Sequence, residues 1–289
     1  MSQRQRTIKD PVSVEGVGLQ TGKKVKLSFK SSPAGSGINF IRTDLPNKPL
    51  LNLQSIDLND SASAERRTAL GLGPMQIQTT EHLLSALSGL SIDNIIIELD
   101  SPELPGLDGS AKDFCALLRK AGIAEQGGPK RELKVDRPVW CKSADGLIAV
   151  FPDDEFKVSY TLSYKSPAIG TQFYNITVNE KSFEGEIAPA RTFCLEEEAA
   201  ELLRQGLGKG ATCENTLVMG KAGPIDTVLR FPDEPVRHKI LDLIGDLYIL
   251  GMPVIGHVVA IKSGHALNME LVRKLKEHNK GDNRWVISH

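Results

Sequence analysis

The sequence predicts an α+β protein built from two copies of a strand-rich unit that carries two helices. Three observations carry this expectation. The run Pro235–Leu250, PVRHKILDLIGDLYIL, is apolar almost all round as a helix, yet His238, Asp242 and Asp246 recur on a single face. An order of strands, helix, strand, turn and helix occurs once before Glu125–Arg131 and again after it. Histidine-to-glycine spacing is kept as well, His82 standing to Gly89 as His238 stands to Gly245.

In the first half, Val12–Gly18 and Lys24–Phe29 alternate apolar and polar residues around a turn at Gln20–Lys23 and read as a hairpin. Gly37–Arg42 continues the alternation, Leu50–Leu58 reads as a further strand, and Ala62–Leu70 as a local pairing. Thr79 or Thr80 is the expected cap of a helix, TTEHLLSALSGL, that stops at Gly89. Asn94–Leu99 is a buried strand, and the Pro/Gly turn SPELPGLDGS feeds a second helix over Ala111–Lys120.

Glu125–Arg131 reads as the linker between residues 1–127 and 132–289. Beyond it, KVDRPVW lies like TIKDPVS, with Pro138 opposite Pro11. Strands follow at Gly146–Phe151, Phe156–Tyr164 and Thr171–Val178, then the helix at Pro235–Leu250 ended by Gly251. A strand, HVVAIKS, and a last helix over Asn268–His278 close the copy. The second copy is about 29 residues longer between the proline and the histidine landmarks. The excess is assigned to Leu195–Gly223, which holds an amphipathic helix, LEEEAAELLRQ, and the loose GLGKGA.

Composition narrows the function. Hydrophobic content of 40%, charged content of 25% and net charge of -1 describe an ordinary soluble globular chain rather than a general nucleic-acid binder. No stretch approaches the length of a membrane span, and MSQRQRTIKD has no apolar core for a secretory leader. Four cysteines without a CxxC pair read as reduced thiols in the cytoplasm.

An otherwise apolar helix should not carry an imidazole and two carboxylates unless something pairs with them. His238 and Asp242, one turn apart, can both reach one cation, and the plain alternative is a buried ion pair. His82, the repeat-mate of His238, supplies a third ligand if the two copies face each other. Three ligands of N/N/O type leave one position open, as in catalytic zinc sites. Water held there becomes a nucleophile. Glu81 stands beside a ligand as the candidate base, and His265, at a glycine turn in KSGHALN, as the candidate acid. His257 and His278 read as structural or exposed.

QTTEHLLSAL, DGSAKDF, ARTF, LRF…VRHKILDLIGDL and KSGHALN together resemble, in order and spacing, the bacterial UDP-3-O-acyl-N-acetylglucosamine deacetylases, zinc amidases of lipid A synthesis. The resemblance spans roughly Arg4 to Lys276. It implies a pair of α/β sandwiches packed helix face to helix face, with a β-α-β-like insertion in the second. It further implies Zn²⁺ (Fe²⁺ as the alternative ion) on His82, His238 and Asp242, with Glu81 as base and His265 as acid. Asp246 would orient His265, and Thr192 would help hold the oxyanion. Lys239 would meet the polar head of the substrate, Lys262 the diphosphate and Tyr164 the uracil. Phe193 would also line the substrate site. Ala199, Leu202, Leu207, Gly208, Gly210 and Val218 would line an apolar passage for the 3-O-acyl chain. The sequence departs from the family at Pro235, where an aromatic residue is expected, and at Cys194 and the GLGKGA run.

The implied activity is hydrolysis of the N-acetyl group with release of acetate, by a cytoplasmic monomer. The amine would leave with a proton from His265 or from Glu81. Two rivals stand beside this reading: a metal-dependent amidohydrolase for another acylated substrate, and an inactive binding protein whose metal ties two domains together.

Overall fold

The computed structural model describes residues 3–58, 63–64, 67–280 and 286–287. It is a mixed α+β structure. In the first half a sheet runs in the order Val12–Val17, Lys24–Ser31, Ile95–Leu99, Ile38–Arg42, Leu50–Asn52. All its pairings are antiparallel except that of Ile38–Arg42 with Ile95–Leu99. In the second half Val139–Lys142, Leu147–Phe151, Val254–Ile261, Phe156–Ser163 and Thr171–Thr177 are neighbours in that order. There the parallel pair is Phe156–Ser163 with Val254–Ile261.

The helices that matter for the site are α1 (Glu81–Gly89), α2 (Lys112–Lys120), α3 (Glu196–Arg204), α4 (Glu234–Leu247) and α5 (His265–Lys280). Helix α4 forms where the period predicted it. Pro235 sits in its first turn, where its missing N–H costs nothing. Val236, Ile240, Leu241, Leu243, Ile244 and Leu247 are all at most 2% exposed. Each such side chain contributes about 1.5–3 kcal/mol by burial, so packing rather than propensity holds the helix. A 3₁₀ turn, Tyr248–Leu250, follows it, and Gly251, at φ 75°, ends that turn.

Helix α1 packs against α4, burying Leu83, Leu84, Ala86 and Leu87 completely. The approach is closest at Gly245, where a Cβ would stand 2.1 Å from the carbonyl oxygen of Glu81. At the other end of α1 a Cβ on Gly89 would fall 2.1 Å from the ring of Phe183. Glycine at 245 is required for the two helices to meet, and that meeting brings Glu81 and His82 up to α4, while glycine at 89 leaves room for the Phe183 ring.

Several expectations need correction. Glu125–Arg131 is not a free linker: Ile123–Pro129 pairs antiparallel with the terminal strand Arg4–Ile8, and Arg131–Lys134 begins a new ladder. Leu50–Leu58 is a strand only to Asn52, whose side chain accepts from the N–H groups of Gln54 and Ser55 and bends the chain into a 3₁₀ turn. Neither threonine caps α1 through its side chain: Thr80 is already helical, and the Thr79 hydroxyl donates to Glu103. Helix α5 starts at His265 rather than Asn268. The β-α-β-like insertion, by contrast, forms as expected: two short parallel strands, Phe193–Leu195 and Leu217–Met219, flank α3. In line with the reading of reduced thiols, Cys115, Cys141, Cys194 and Cys213 are free cysteines.

Candidate active site

Along one face of α4, His238, Asp242 and Asp246 are buried, as expected from their spacing, and the first turn of α1 lays Glu81 and His82 opposite them. His82, His238 and Asp242 each offer one ligand atom within 4.8 Å of the others. Nε2 of His238 is 3.3 Å and Nε2 of His82 is 3.9 Å from Oδ1 of Asp242. The two rings meet edge to face at 5.1 Å.

The donor chemistry of this triangle fits a cation. Nδ1 of His238 is 3.0 Å from the carbonyl oxygen of Ala190. A carbonyl only accepts, so Nδ1 carries a proton, and the neutral form of the ring would turn a bare Nε2 lone pair toward Asp242. Lys239 Nζ donates to Oδ2 of Asp242 at 2.5 Å, so Oδ1 is the oxygen that faces the imidazoles. Burial, and then the neighbouring charge of His238, hold the His82 pKa down at about 3, so its ring is neutral. Burial works against ionising Asp242, yet His238 and Lys239 keep its carboxyl well below the usual range. With both rings neutral, two imidazole lone pairs and a carboxylate oxygen would converge there, and a metal ion would resolve that repulsion.

Beside the triangle, burial raises Glu81 to about pKa 7 against the opposing pull of His265. His265 goes the other way. Burial disfavours its charge, but Asp246, with Asp242 and Glu81 adding, raises it to about 9. Nδ1 of His265 donates to Oδ2 of Asp246 at 2.9 Å, and its Nε2 lies 3.9 Å from Oδ2 of Asp242. Asp246 is fully buried and its other contacts are Asn268 Nδ2 at 2.8 Å and Thr68 Oγ1 at 2.5 Å.

Thr68 is the residue that sequence reasoning missed. Its N–H donates to Oε2 of Glu81 at 3.1 Å, and its hydroxyl oxygen lies 3.1 Å from Nδ1 of His265. One residue of the short strand Arg67–Leu70 thus touches the base candidate, the acid candidate and the carboxylate between them. Its neighbours in RRTAL carry no motif, and only the fold brings it in. Arg191, the arginine of ARTF, also serves the site. It is buried and doubly paired with Glu234, Nε to Oε1 at 2.9 Å and Nη2 to Oε2 at 3.3 Å, which fixes the path of the loop holding Ala190 and Thr192.

The remaining expected residues divide. Phe193 stacks edge-on against His238 and against Tyr164. Thr192, Phe193, Ala199, Leu202, Gly208 and Val218 line an apolar cavity, joined there by Leu19 and Gln20 from the first-half hairpin. Leu207 and Gly210 are not in its lining; the N–H of Gly210 donates instead to the Leu19 carbonyl at 3.0 Å. Lys262 is exposed past the end of Val254–Ile261, at φ 50°. Lys239 is turned onto Asp242.

Residues 5–277 match the sequence profile of the UDP-3-O-acyl N-acetylglycosamine deacetylase family. The UDP-3-O-acyl-N-acetylglucosamine deacetylase of Chlamydia felis is 43% identical over 279 residues, covering 96% of this chain and 98% of its own. That of an Anaeromyxobacter species is 42% identical over 273 residues, covering 94% and 88%. The bifunctional LpxC/FabZ enzyme of Chlorobaculum tepidum is 39% identical over 308 residues, with 95% of this chain and 64% of that one covered. With a match over nearly its full length and relatives well above 30% identity, the chain belongs to the UDP-3-O-acyl N-acetylglycosamine deacetylase family.

Proposed function

We propose that this protein hydrolyses the N-acetyl group of UDP-3-O-acyl-N-acetylglucosamine, releasing acetate in the committed step of lipid A biosynthesis. The observation that carries the reading is the convergence of Nε2, Nε2 and Oδ1 of His82, His238 and Asp242 beside Glu81 and the His265–Asp246 pair. Held by that triad, zinc supplies a Lewis acid for the amide carbonyl and acidifies the attacking water, and Fe²⁺ is the alternative ion.

Everything else falls to the chain. Glu81, buried and held by the Thr68 N–H, takes the proton of the attacking water on its carboxylate. His265, kept protonated by Asp246, turns Nε2–H toward the reacting carbonyl. With the Thr192 hydroxyl it offsets the charge that develops on oxygen. The departing amine takes its proton from His265 or from Glu81. Lys262 and Lys239 serve the diphosphate and sugar head, Tyr164 the uracil, and the apolar cavity the 3-O-acyl chain.

The chain reads as two duplicated domains, residues 1–127 and 132–289, with the insertion at 195–223. In support, each half has a hairpin, then the strand that follows α1 in one and α4 in the other, then a parallel strand and an antiparallel edge. A monomer working in the cytoplasm fits this reading, and no helix among the described residues is long and apolar enough to cross a membrane. The test is metal content together with acetate release from the UDP-sugar. Tight metal without acetate release would favour the inactive binding protein, and release from peptides instead would favour another amidohydrolase.

A further inference from the structure

The rim of the apolar cavity and the first turn of α1 are held by one carboxylate. Glu103, in the turn after Ile95–Leu99, is completely buried. Its Oε1 accepts from the N–H of Gln20 at 2.8 Å and the hydroxyl of Thr79 at 2.9 Å. Its Oε2 accepts from the N–H of Thr21 at 2.8 Å and the Thr21 hydroxyl at 2.6 Å. Four donors fill the acceptor capacity of a carboxylate, which is what allows a charge to be buried there.

These donors come from two places with different work. Gln20 and Thr21 form the hairpin turn whose Leu19 and Gln20 line the cavity. That turn grips the insertion: the carbonyls of Leu19 and Gln20 accept from the N–H groups of Gly210 at 3.0 Å and Lys209 at 3.2 Å, and the Gln20 side chain accepts from Gly208 at 3.1 Å. Thr79, at φ 59°, leads directly into Thr80, Glu81 and His82. There is no slack between the parts. A Cβ on Gly18 would lie 2.3 Å from Oε2 of Glu103, and one on Gly210 would lie 2.3 Å from the Gly18 carbonyl. A continuous chain of bonds therefore runs from the insertion loop through Gln20, Glu103 and Thr79 to the first turn of α1.

We propose that Glu103 is a positioning residue that couples occupancy of the apolar cavity to the placement of Glu81 and His82. This rests on the reading of that cavity as the acyl passage. Binding energy from a part of the substrate that does not react is useful to catalysis only if it is felt at the reacting centre, and a rigid, fully bonded carboxylate between the two supplies the link.

The experiment compares kcat and KM for the 3-O-acylated and unacylated UDP-sugars in wild type, Glu103→Gln, Thr79→Val and Thr79→Ser. Thr79→Val cuts only the link from Glu103 to α1 and leaves its other three bonds, so it carries the test even if Glu103→Gln folds poorly. The expected result is a fall of about three- to thirtyfold in the ratio of kcat for the acylated substrate to that for the unacylated one, the span of a typical coupling residue. Metal per chain should be unchanged and Thr79→Ser should restore the ratio. A loss shared equally by both substrates, or an unchanged ratio, overturns the coupling. If wild type itself turns over both substrates alike, the acyl-passage reading fails first, and wild type alone reveals it.

Discussion

The proposed reacting cluster and the apolar cavity beside it are built to opposite standards. Glu81, His82, His238, Asp242, Asp246 and His265 are all at most 8% exposed, and they stand on three helices packed into the core. Each has a named partner within hydrogen-bond or ligand distance. The cavity is walled instead by a strand of three residues, by α3, which buries none of its residues fully, and by a glycine-bearing loop. The difference teaches where precision is needed. Charge and proton positions lose their worth over fractions of an ångström, whereas an apolar wall gains with area and tolerates adjustment.

The largest test of that contrast is His238→Ala. Removing one of the three proposed ligands should abolish stoichiometric zinc and nearly all acetate release while the fold persists, because the core around α4 does not depend on the ion. Zinc retained at one per chain, measured by elemental analysis, would remove His238 from the ligand set. Next come Glu81→Ala and His265→Ala, which should keep zinc yet lose roughly 10²–10⁴ in turnover, the usual worth of a positioned proton-transfer group. A base must be deprotonated to act, so kcat/KM should rise with pH through the ionisation of Glu81, and that rise should vanish in Glu81→Ala. Near-wild-type turnover in either variant would sink its role.

A smaller and selective loss is expected at the wall. Gly208 sits at φ 67°, so any side chain there strains the backbone, and Ala199→Trp is the cleaner way to fill the cavity. Displacing about three methylenes at about 0.8 kcal/mol each should cut kcat/KM for the 3-O-acyl substrate by roughly thirty- to hundredfold. The unacylated sugar should lose far less, and equal losses would place the acyl chain elsewhere. The smallest effect belongs to Thr68→Val, which removes one hydroxyl from Asp246 but keeps the N–H on Glu81. One hydrogen bond is worth about 0.5–1.5 kcal/mol, so turnover should fall about two- to tenfold with zinc unchanged. A loss as large as that of His265→Ala would mean that Thr68 does more than orient.

Legibility in the sequence followed the same division. His238, Asp242 and Asp246 could be read because helical spacing makes a polar stripe on an apolar helix conspicuous, and His82 because the repeat pointed to it. Thr68 and Glu103 could not: their partners Asp246 and Gln20 are distant in the chain, and no local pattern records a hydrogen bond across the fold. The linker was misread for a similar reason, since EQGGPK looks like coil until Arg4–Ile8 arrives to pair with it. Leu19 and Gln20 were missing from the expected cavity wall because the insertion alone suggested its own lining.

The bond from His238 to the backbone bears on how the site can change over generations. The acceptor that fixes the proton of His238 is the peptide carbonyl of Ala190. A side-chain acceptor can be deleted by one nucleotide change, but a peptide oxygen is the same in every amino acid. Substitution at Ala190 therefore leaves the acceptor in existence and can only move it. Drift in ligand chemistry has to go through the path of the loop, and Arg191 with Glu234 pins that path from both sides of a buried ion pair. The bond that sets the tautomer is out of reach of point mutation; the pair that holds it in place is not.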